Sequence, residues 1–151
     1  MKSIALDAST ILAWAKKERG WQGIDRLFRT PAGQFRLALP GTALTEVITT
    51  LRHRTTGQQL SHQAIATSVL GQGIDLELMT EQDHVRAAEL REISFATPGS
   101  DGETLSLSDA SIIAVSERLG ANVLTGDTYW SKLSEAGHLK IKAILFPRDA
   151  R

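Results

Sequence analysis

The 151-residue chain contains no cysteine, and this absence excludes several classes of site. Disulfide bonds, thiolate zinc sites and iron–sulfur clusters held by thiolates all require cysteine. The same absence favours a protein of the reducing cytoplasm. A chain of this length buries enough surface to be stable without cross-links, so we expect a single domain over residues 1–151.

The chain also lacks a long apolar run and a net charge. Its first apolar segment, residues 4–6, is interrupted by Asp7, and no run approaches the roughly 20 residues that cross a bilayer. We therefore expect no signal peptide and no membrane partner. The 17 basic and 17 acidic residues cancel, which at first argues against a nucleic-acid partner.

Short apolar strands alternate with amphipathic helices along the chain. This order predicts an α/β protein with a mostly parallel sheet of four to five strands, covered on both faces. The expected strands cover residues 2–6, 36–39, 74–79, 121–124 and 141–145. The expected helices cover residues 10–19, 21–29, 42–54 (followed by Gly57), 61–71, 80–94, 108–119 and 128–136. Ligands of such sheets bind beyond the carboxyl ends of the strands.

Four acidic residues occupy positions where an isolated acid is costly. Asp7 and Asp127 each follow a predicted buried strand, and Glu46 and Asp109 lie in the first turns of predicted helices. A carboxylate beside apolar segments is costly unless it is paired, neutralised or bound to a metal. Four of them in one small domain suggest a cluster that holds a hard divalent cation.

Each acid also has a purely structural explanation. Asp7 can cap a helix and Asp127 can be a turn residue before one. Glu46 is a first-turn acid that the helix dipole favours, and Asp109 has the capping-box spacing from Ser106. These explanations stay open for each acid taken alone.

Neighbouring hydroxyl groups bear on these alternatives. Ser9 or Thr10 can cap the first helix in place of Asp7, which leaves the Asp7 carboxylate available to a ligand. Thr125 adds a hydroxyl that can hold a water or a carboxylate oxygen next to Asp127. The hydroxyls therefore favour a ligand-binding role for the acids.

In chain order, these residues resemble the PIN-domain family, and most of all its VapC-type branch, the toxins of bacterial toxin–antitoxin pairs. The family motifs are an Asp after the first strand with Ser or Thr two residues on, a Glu early in a middle helix, an Asp-Ala pair opening a late helix, and Thr-x-Asp after the fourth strand. Their counterparts here are Asp7 with Ser9, Glu46, Asp109-Ala110 and Thr125-Gly126-Asp127. The resemblance covers nearly the whole chain.

The resemblance implies a three-layer α/β/α sandwich and a metal-dependent endoribonuclease that inhibits translation until a cognate antitoxin neutralises it. It also implies Mg²⁺ or Mn²⁺ as cofactor, RNA as substrate and a homodimer. All four acids would be catalytic and would form the ligand set: Asp7, Asp109, Asp127 and, directly or through water, Glu46. Ser9 and Thr125 would orient these ligands from behind. Carboxylate and water oxygens suit both metals.

The charge balance is compatible with this interpretation. With the four acids set apart, 17 basic residues face 13 acidic ones in the rest of the chain. Two bound divalent cations would neutralise the four acids. The loaded protein would then carry a mildly basic surface, which suits RNA without predicting it.

Two features outside the four acids also require interpretation. Asp101 and Glu103 lie in a loop rich in Gly, Pro and Ser, where we expect solvated side chains, and a supplementary role as ligands stays open. Trp14, Trp21 and Phe28 cluster in the first two helices. Such aromatic residues usually belong to the core, and the alternative is a groove that binds the antitoxin.

Three rival interpretations are less favoured. A haloacid-dehalogenase phosphatase needs a second Asp two residues after the first, where this chain has Ser9. A phospho-receiver domain needs adjacent acids after the first strand, and residues 4–8 offer one. An inactive PIN-fold binding module would normally lack some of the acids. A PIN nuclease for RNA processing or quality control remains an alternative to the toxin.

Overall fold

The computed structural model describes residues 1–54 and 60–146. Within them the chain forms five strands and seven helices. The strands are β1 (Lys2–Leu6), β2 (Phe35–Pro40), β3 (Ile74–Glu77), β4 (Asn122–Thr125) and β5 (Ala143–Leu145). The helices are α1 (Ala8–Ala15), α2 (Trp21–Phe28), α3 (Ala43–Arg54), α4 (His62–Leu70), α5 (Glu81–Ala96), α6 (Leu107–Leu119) and α7 (Thr128–Glu135).

The five strands form one parallel sheet in the order β3-β2-β1-β4-β5. β1 lies at the centre, and its Ala5 and Leu6 are fully buried, as expected for a strand covered on both faces. In the helical layers, α1 contacts α2 and α3, and α5 packs along α6. The predicted three-layer α/β/α sandwich is confirmed.

The apolar core lies between the sheet and its helices. Leu39 of β2, Ile112 of α6 and Trp130 of α7 are among its fully buried side chains. The apolar face of α6 therefore packs against the sheet, and this packing fixes where the first turn of α6 lies relative to β2 and β4.

Most predicted element boundaries agree with the structure to within two residues. The side chain of Ser61 caps α4, and the Thr80–Asp83 and Ser106–Asp109 capping boxes are both present. The predicted stop at Gly57 lies outside the described residues.

The first helix ends earlier than its sequence predicts. We expected α1 to continue to Arg19 and to stop at Gly20, but it ends at Ala15. Lys17 adopts a left-handed conformation with φ of 51°, and Glu18 N–H donates to the Ala13 carbonyl at 2.8 Å. This is the Schellman pattern of helix termination, which usually has glycine at the left-handed position. A lysine in that position gave no sequence signal.

Among the described residues, no helix is both long and apolar enough to cross a membrane.

Candidate active site

The first turns of four helices surround a cleft of about 480 Å³ at the carboxyl edge of the sheet. The cleft lies beside the paired ends of β1 and β4, where Asp7 N–H donates to the Leu124 carbonyl at 3.0 Å. It is lined by Asp7, Ala8, Ser9, Leu12, Glu46, Asp109, Gly126, Asp127 and Thr128. The structure therefore brings the four predicted acids to one place, which we call the carboxylate cleft.

Asp7 is buried, and two hydroxyl groups hold its carboxylate. Ser9 Oγ and Thr125 Oγ1 donate to the same oxygen, Oδ2, at 2.7 and 2.8 Å. Asp7 precedes α1, but its side chain makes no capping hydrogen bond. The carboxylate is fixed by side chains from two chain segments and is not used to begin the helix.

Of the capping residues that the sequence left open for α1, neither Ser9 nor Thr10 is used, because Asp7 occupies the N-cap position. Ser9 Oγ instead accepts from the Gly126 amide at 3.0 Å, and Thr10 Oγ1 donates to the Leu124 carbonyl at 2.6 Å. Both hydroxyls therefore tie the start of α1 to the end of β4. They hold the side of the cleft that carries Asp7 against the side that carries Asp127.

Thr125 links Asp7 to Asp127. Its buried hydroxyl donates to Asp7 and accepts from the Asp127 amide at 3.0 Å. The Asp127 carboxylate in turn caps α7 by accepting from the Tyr129 amide at 2.9 Å. Asp127 thus serves as a helix cap and also lines the cleft.

Asp109 also combines a capping role with a place in the cleft. Its Oδ2 accepts from the Ser106 amide at 3.1 Å, and its own amide donates to Ser106 Oγ at 3.0 Å. Asp109 nevertheless lines the carboxylate cleft. The capping role and the cleft position are therefore compatible, because a carboxylate has two oxygens with several acceptor sites.

Glu46 is held by Ser108, a residue that sequence analysis missed. Ser108 Oγ donates to Glu46 Oε1 and lies 2.6 Å from Thr42 Oγ1. The only sequence signal was its place directly before Asp109. A serine at that position is unremarkable, because its partner lies 62 residues away in sequence.

Burial and mutual repulsion disfavour ionisation of three of the four acids. Burial raises the pKa of Asp7 to about 6, against the lowering effect of the Ser9 and Thr125 hydrogen bonds, and Asp109 adds repulsion. The pKa of Glu46 is raised to about 7 by burial and then by the charges of Asp7 and Asp109. The pKa of Asp109 is also raised, chiefly by burial, with a contribution from Asp127.

No basic side chain that the structure describes forms an ion pair with any of the four acids. The crowded oxygen donors match the chemistry of a hard divalent cation, which would offset their repulsion. Yet in residues 1–54 and 60–146, no three acidic or histidine side chains are arranged closely enough to hold a metal ion as they stand. The donor set nevertheless has the carboxylate chemistry that such an ion prefers.

Asp101 and Glu103 are not brought to the cleft. Both are exposed, and Glu103 Oε2 accepts from the Asp101 amide at 3.0 Å within their own loop. Neither lines the carboxylate cleft.

A second cavity of about 550 Å³ lies beside the first two helices. It is lined by residues of α1 to α4 and of the turns that follow α1 and α2. The lining residues include Trp14, Lys17, Trp21, Asp25, Arg29, Leu51, Ile65, Ser68 and Val69. We call it the tryptophan groove. Of the three aromatic residues predicted there, Phe28 does not line it but packs edge-on against Trp14, with ring centroids 5.2 Å apart.

The chain matches one family model and several solved structures. A search of curated proteins found no significant match. The fold resembles VapBC2 from Rickettsia felis, crystallised with a promoter DNA fragment, at 11% identity, a TM-score of 0.66 and coverage of 96% of this chain and 99% of that one. It also resembles VapBC-1 from nontypeable Haemophilus influenzae, at 15% identity, a TM-score of 0.66 and coverage of 93% and 97%.

A third similar structure is the sarcin–ricin loop cleaving toxin VapC20 from Mycobacterium tuberculosis. It shares 21% identity and a TM-score of 0.58, with coverage of 92% of this chain and 98% of that one. Identities this low establish a common fold. The family model of the PIN domain matches residues 4–136, a span that contains all four acids of the carboxylate cleft, and the chain therefore belongs to the PIN domain family.

Proposed function

We propose that this chain is a divalent-metal-dependent endoribonuclease of the VapC type, the toxin of a bacterial toxin–antitoxin pair. The observation that carries the proposal is the convergence of four acids, without a basic partner among the described residues, at the carboxyl edge of a PIN-domain sheet. The likeness to VapBC structures supports the toxin branch of the family. The proposal covers residues 1–151 as a single domain acting in the cytoplasm on RNA that supports translation.

The four acids have different proposed roles in the site. Asp7, Asp109 and Asp127 would hold Mg²⁺ or Mn²⁺, and Glu46 would hold it directly or through water. Such an ion would supply Lewis-acid stabilisation of charge on the phosphodiester and would make a bound water more acidic. Ser9 and Thr125 keep Asp7 oriented by donating to its Oδ2. Glu46, whose Oε1 is held by Ser108, presents Oε2 to position the attacking water.

A cleavage assay tests the enzyme. The purified protein should cut structured RNA in Mg²⁺ or Mn²⁺ and stop when EDTA removes the metal. Asp101→Asn, an acid outside the cleft, serves as a matched control and should cut like wild type. Undiminished cleavage in EDTA would contradict the mechanism, and cleavage without growth arrest on expression would favour RNA processing over toxicity.

The tryptophan groove is our proposed antitoxin site. Apolar walls from Trp14, Trp21 and Val69 are bordered by Lys17 and Asp25. Trp14 Nε1 donates to Asp25 Oδ1 at 3.1 Å, and the Lys17 ammonium lies 5.6 Å from the centre of the Trp21 ring. These contacts hold the aromatic walls in place, so the groove is formed before a partner arrives. An amphipathic segment of the antitoxin suits a surface of this composition.

Co-expression with a candidate antitoxin, encoded by a short reading frame beside this gene, tests this partner. Trp21→Ala should release the antitoxin and restore toxicity, while Phe95→Ala, which removes an exposed aromatic outside the groove, should leave the complex intact. Retention of the antitoxin by both Trp21→Ala and Trp14→Ala would show that the partner binds another surface.

We also propose a homodimer, and a monomer in light scattering at micromolar concentration would contradict it.

A further inference from the structure

The hydroxyl of Ser108 connects Glu46 to a third side chain. Ser108 Oγ donates to Glu46 Oε1 and lies 2.6 Å from Thr42 Oγ1. A serine hydroxyl carries a single proton. When Glu46 is ionised, as metal binding requires, it accepts that proton, and Thr42 is then the donor in the second bond. The result is a directed hydrogen-bond chain from Thr42 through Ser108 to Glu46.

Close packing between α6 and the turn before α3 makes this chain possible. Gly41 has a φ of +59°, and a Cβ added there would lie 3.6 Å from Ser111 Cβ. Ser108 and Ser111 are one helical turn apart, so they share the face of α6 that meets this turn. The turn and α6 therefore meet beside Thr42, which lies within hydrogen-bond distance of Ser108.

Glu46 depends on this contact more than the other acids depend on theirs. Asp109 and Asp127 accept from backbone amides near them in sequence, and Asp7 accepts from two hydroxyls. Among the described residues, Ser108 is the one hydrogen-bond donor to the Glu46 carboxylate. Glu46 also has the longest side chain of the four, so without Ser108 its carboxylate can rotate towards solvent.

We infer that Ser108 is a positioning residue, which fixes the Glu46 carboxylate towards the other acids of the carboxylate cleft. The inference rests on the proposed function, because it assigns Ser108 to the same metal-dependent site. Removal of a partner that orients a metal-binding side chain typically lowers metal affinity or activity by roughly 10- to 100-fold.

Ser108→Ala tests this role, and Ser111→Ala is its matched control. Ser111 Oγ donates only to the Leu107 carbonyl of its own helix, at 2.7 Å. Mn²⁺ affinity is measured by calorimetry without RNA, and kcat and KM are measured by RNA cleavage. Ser108→Ala should lower Mn²⁺ affinity and kcat by roughly tenfold with little change in KM, and Ser111→Ala should match wild type. Ser108→Thr, which keeps the hydroxyl, should recover most of the loss.

A double-mutant cycle separates positioning from general stability. In a Glu46→Gln background, Ser108→Ala should weaken Mn²⁺ binding much less than it does in wild type, because its target is already altered. Equal losses in both backgrounds would show that Ser108 acts on something other than Glu46. If Ser108→Ala folds poorly, Thr42→Val breaks the same chain from its other end and should give a smaller loss of the same kind.

The two readouts separate this inference from the proposed function. Ser108→Ala that matches Ser111→Ala in Mn²⁺ affinity and in kcat overturns the positioning role. A wild-type protein that binds Mn²⁺ with the expected Ser108 effect, yet cuts no RNA, supports the positioning role and overturns the ribonuclease. A wild-type protein that neither binds Mn²⁺ nor cuts RNA overturns both.

Discussion

Two capping boxes with the same spacing, a Ser or Thr followed three residues later by Asp, lie at the starts of α5 and α6, and their acids have opposite surroundings. Asp83, in the Thr80 box, is 2% exposed and lies 3.0 Å from the Arg118 guanidinium. Asp109, in the Ser106 box, faces three other acids across the carboxylate cleft. The local motif is satisfied in both places. The two acids differ in the side chains that the fold places next to each carboxylate, which are a guanidinium beside Asp83 and other acids beside Asp109.

The nearby Glu117 repeats the first arrangement. Arg86 donates to both of its carboxylate oxygens, at 2.7 and 3.2 Å, and the Lys140 amide adds a third hydrogen bond. Two acids with buried side chains outside the cleft, Asp83 and Glu117, are thus each paired with a guanidinium. From the residues that the structure describes, the acids of the carboxylate cleft receive neutral donors, and this leaves a negative charge that a cation can satisfy.

The largest expected effect comes from removing a charge in the cleft. Asp109→Asn or Asp7→Asn should lower RNA cleavage by roughly 1,000-fold, because stabilisation by the metal is worth several kcal/mol. Stability without metal should rise or stay level, since one of several repelling charges is gone. Cleavage rates and urea unfolding in EDTA measure the two quantities. Wild-type activity in both variants would remove these residues from the site.

A second effect concerns pH and the buried carboxyl of Asp7. Burial raises the pKa of Asp7 from 3.8 to about 6, so the folded protein holds a proton that the unfolded chain releases. This contribution to stability is fully present below pH 3.8 and is lost as pH rises through about 6. The loss is up to about 3 kcal/mol.

Urea unfolding in EDTA between about pH 4 and about pH 7 measures this loss. Wild type should become less stable over that interval relative to Asp7→Asn, while the control Asp101→Asn should follow wild type. Parallel curves for wild type and Asp7→Asn would show that the Asp7 carboxylate is not destabilised by burial.

A somewhat smaller effect comes from the metal itself. On the proposed function, Mn²⁺ or Mg²⁺ would bind the folded cleft and should stabilise wild type by about 2.7 kcal/mol at a hundred times its dissociation constant. The melting temperature should rise with the metal in wild type and much less in Asp127→Asn. Equal shifts in both proteins would place the cations elsewhere and remove Asp127 from the ligand set.

The comparison of the two boxes also shows what the sequence could reveal. The parallel sheet, both capping boxes and the meeting of Asp7 with Asp127 follow from apolar runs and local motifs, which act over a few residues. The pairing of Asp83 with Arg118 and of Glu46 with Ser108 joins residues 35 and 62 positions apart. Such contacts depend on how α5 and α3 pack against α6, and no local pattern encodes them.

The smallest expected effect is a loss of stability, whereas the first prediction concerned a loss of activity. Asp83→Asn removes the charge that faces Arg118 but keeps a side chain able to accept from the Thr80 amide, a bond of 2.8 Å in wild type. It should lower the free energy of unfolding by about 2 kcal/mol, the value of a hydrogen bond to a charged group, because Arg118 is a third exposed and water can replace part of the lost contact. RNA cleavage at a temperature where the variant is folded should equal that of wild type. Urea unfolding and cleavage rates of Asp83→Asn and Asp109→Asn, measured side by side, should therefore show opposite patterns. Asp83→Asn should lose stability and keep activity, whereas Asp109→Asn should lose activity and keep stability. If Asp83→Asn loses activity at full stability, the contrast between a paired structural acid and an unpaired functional acid does not hold.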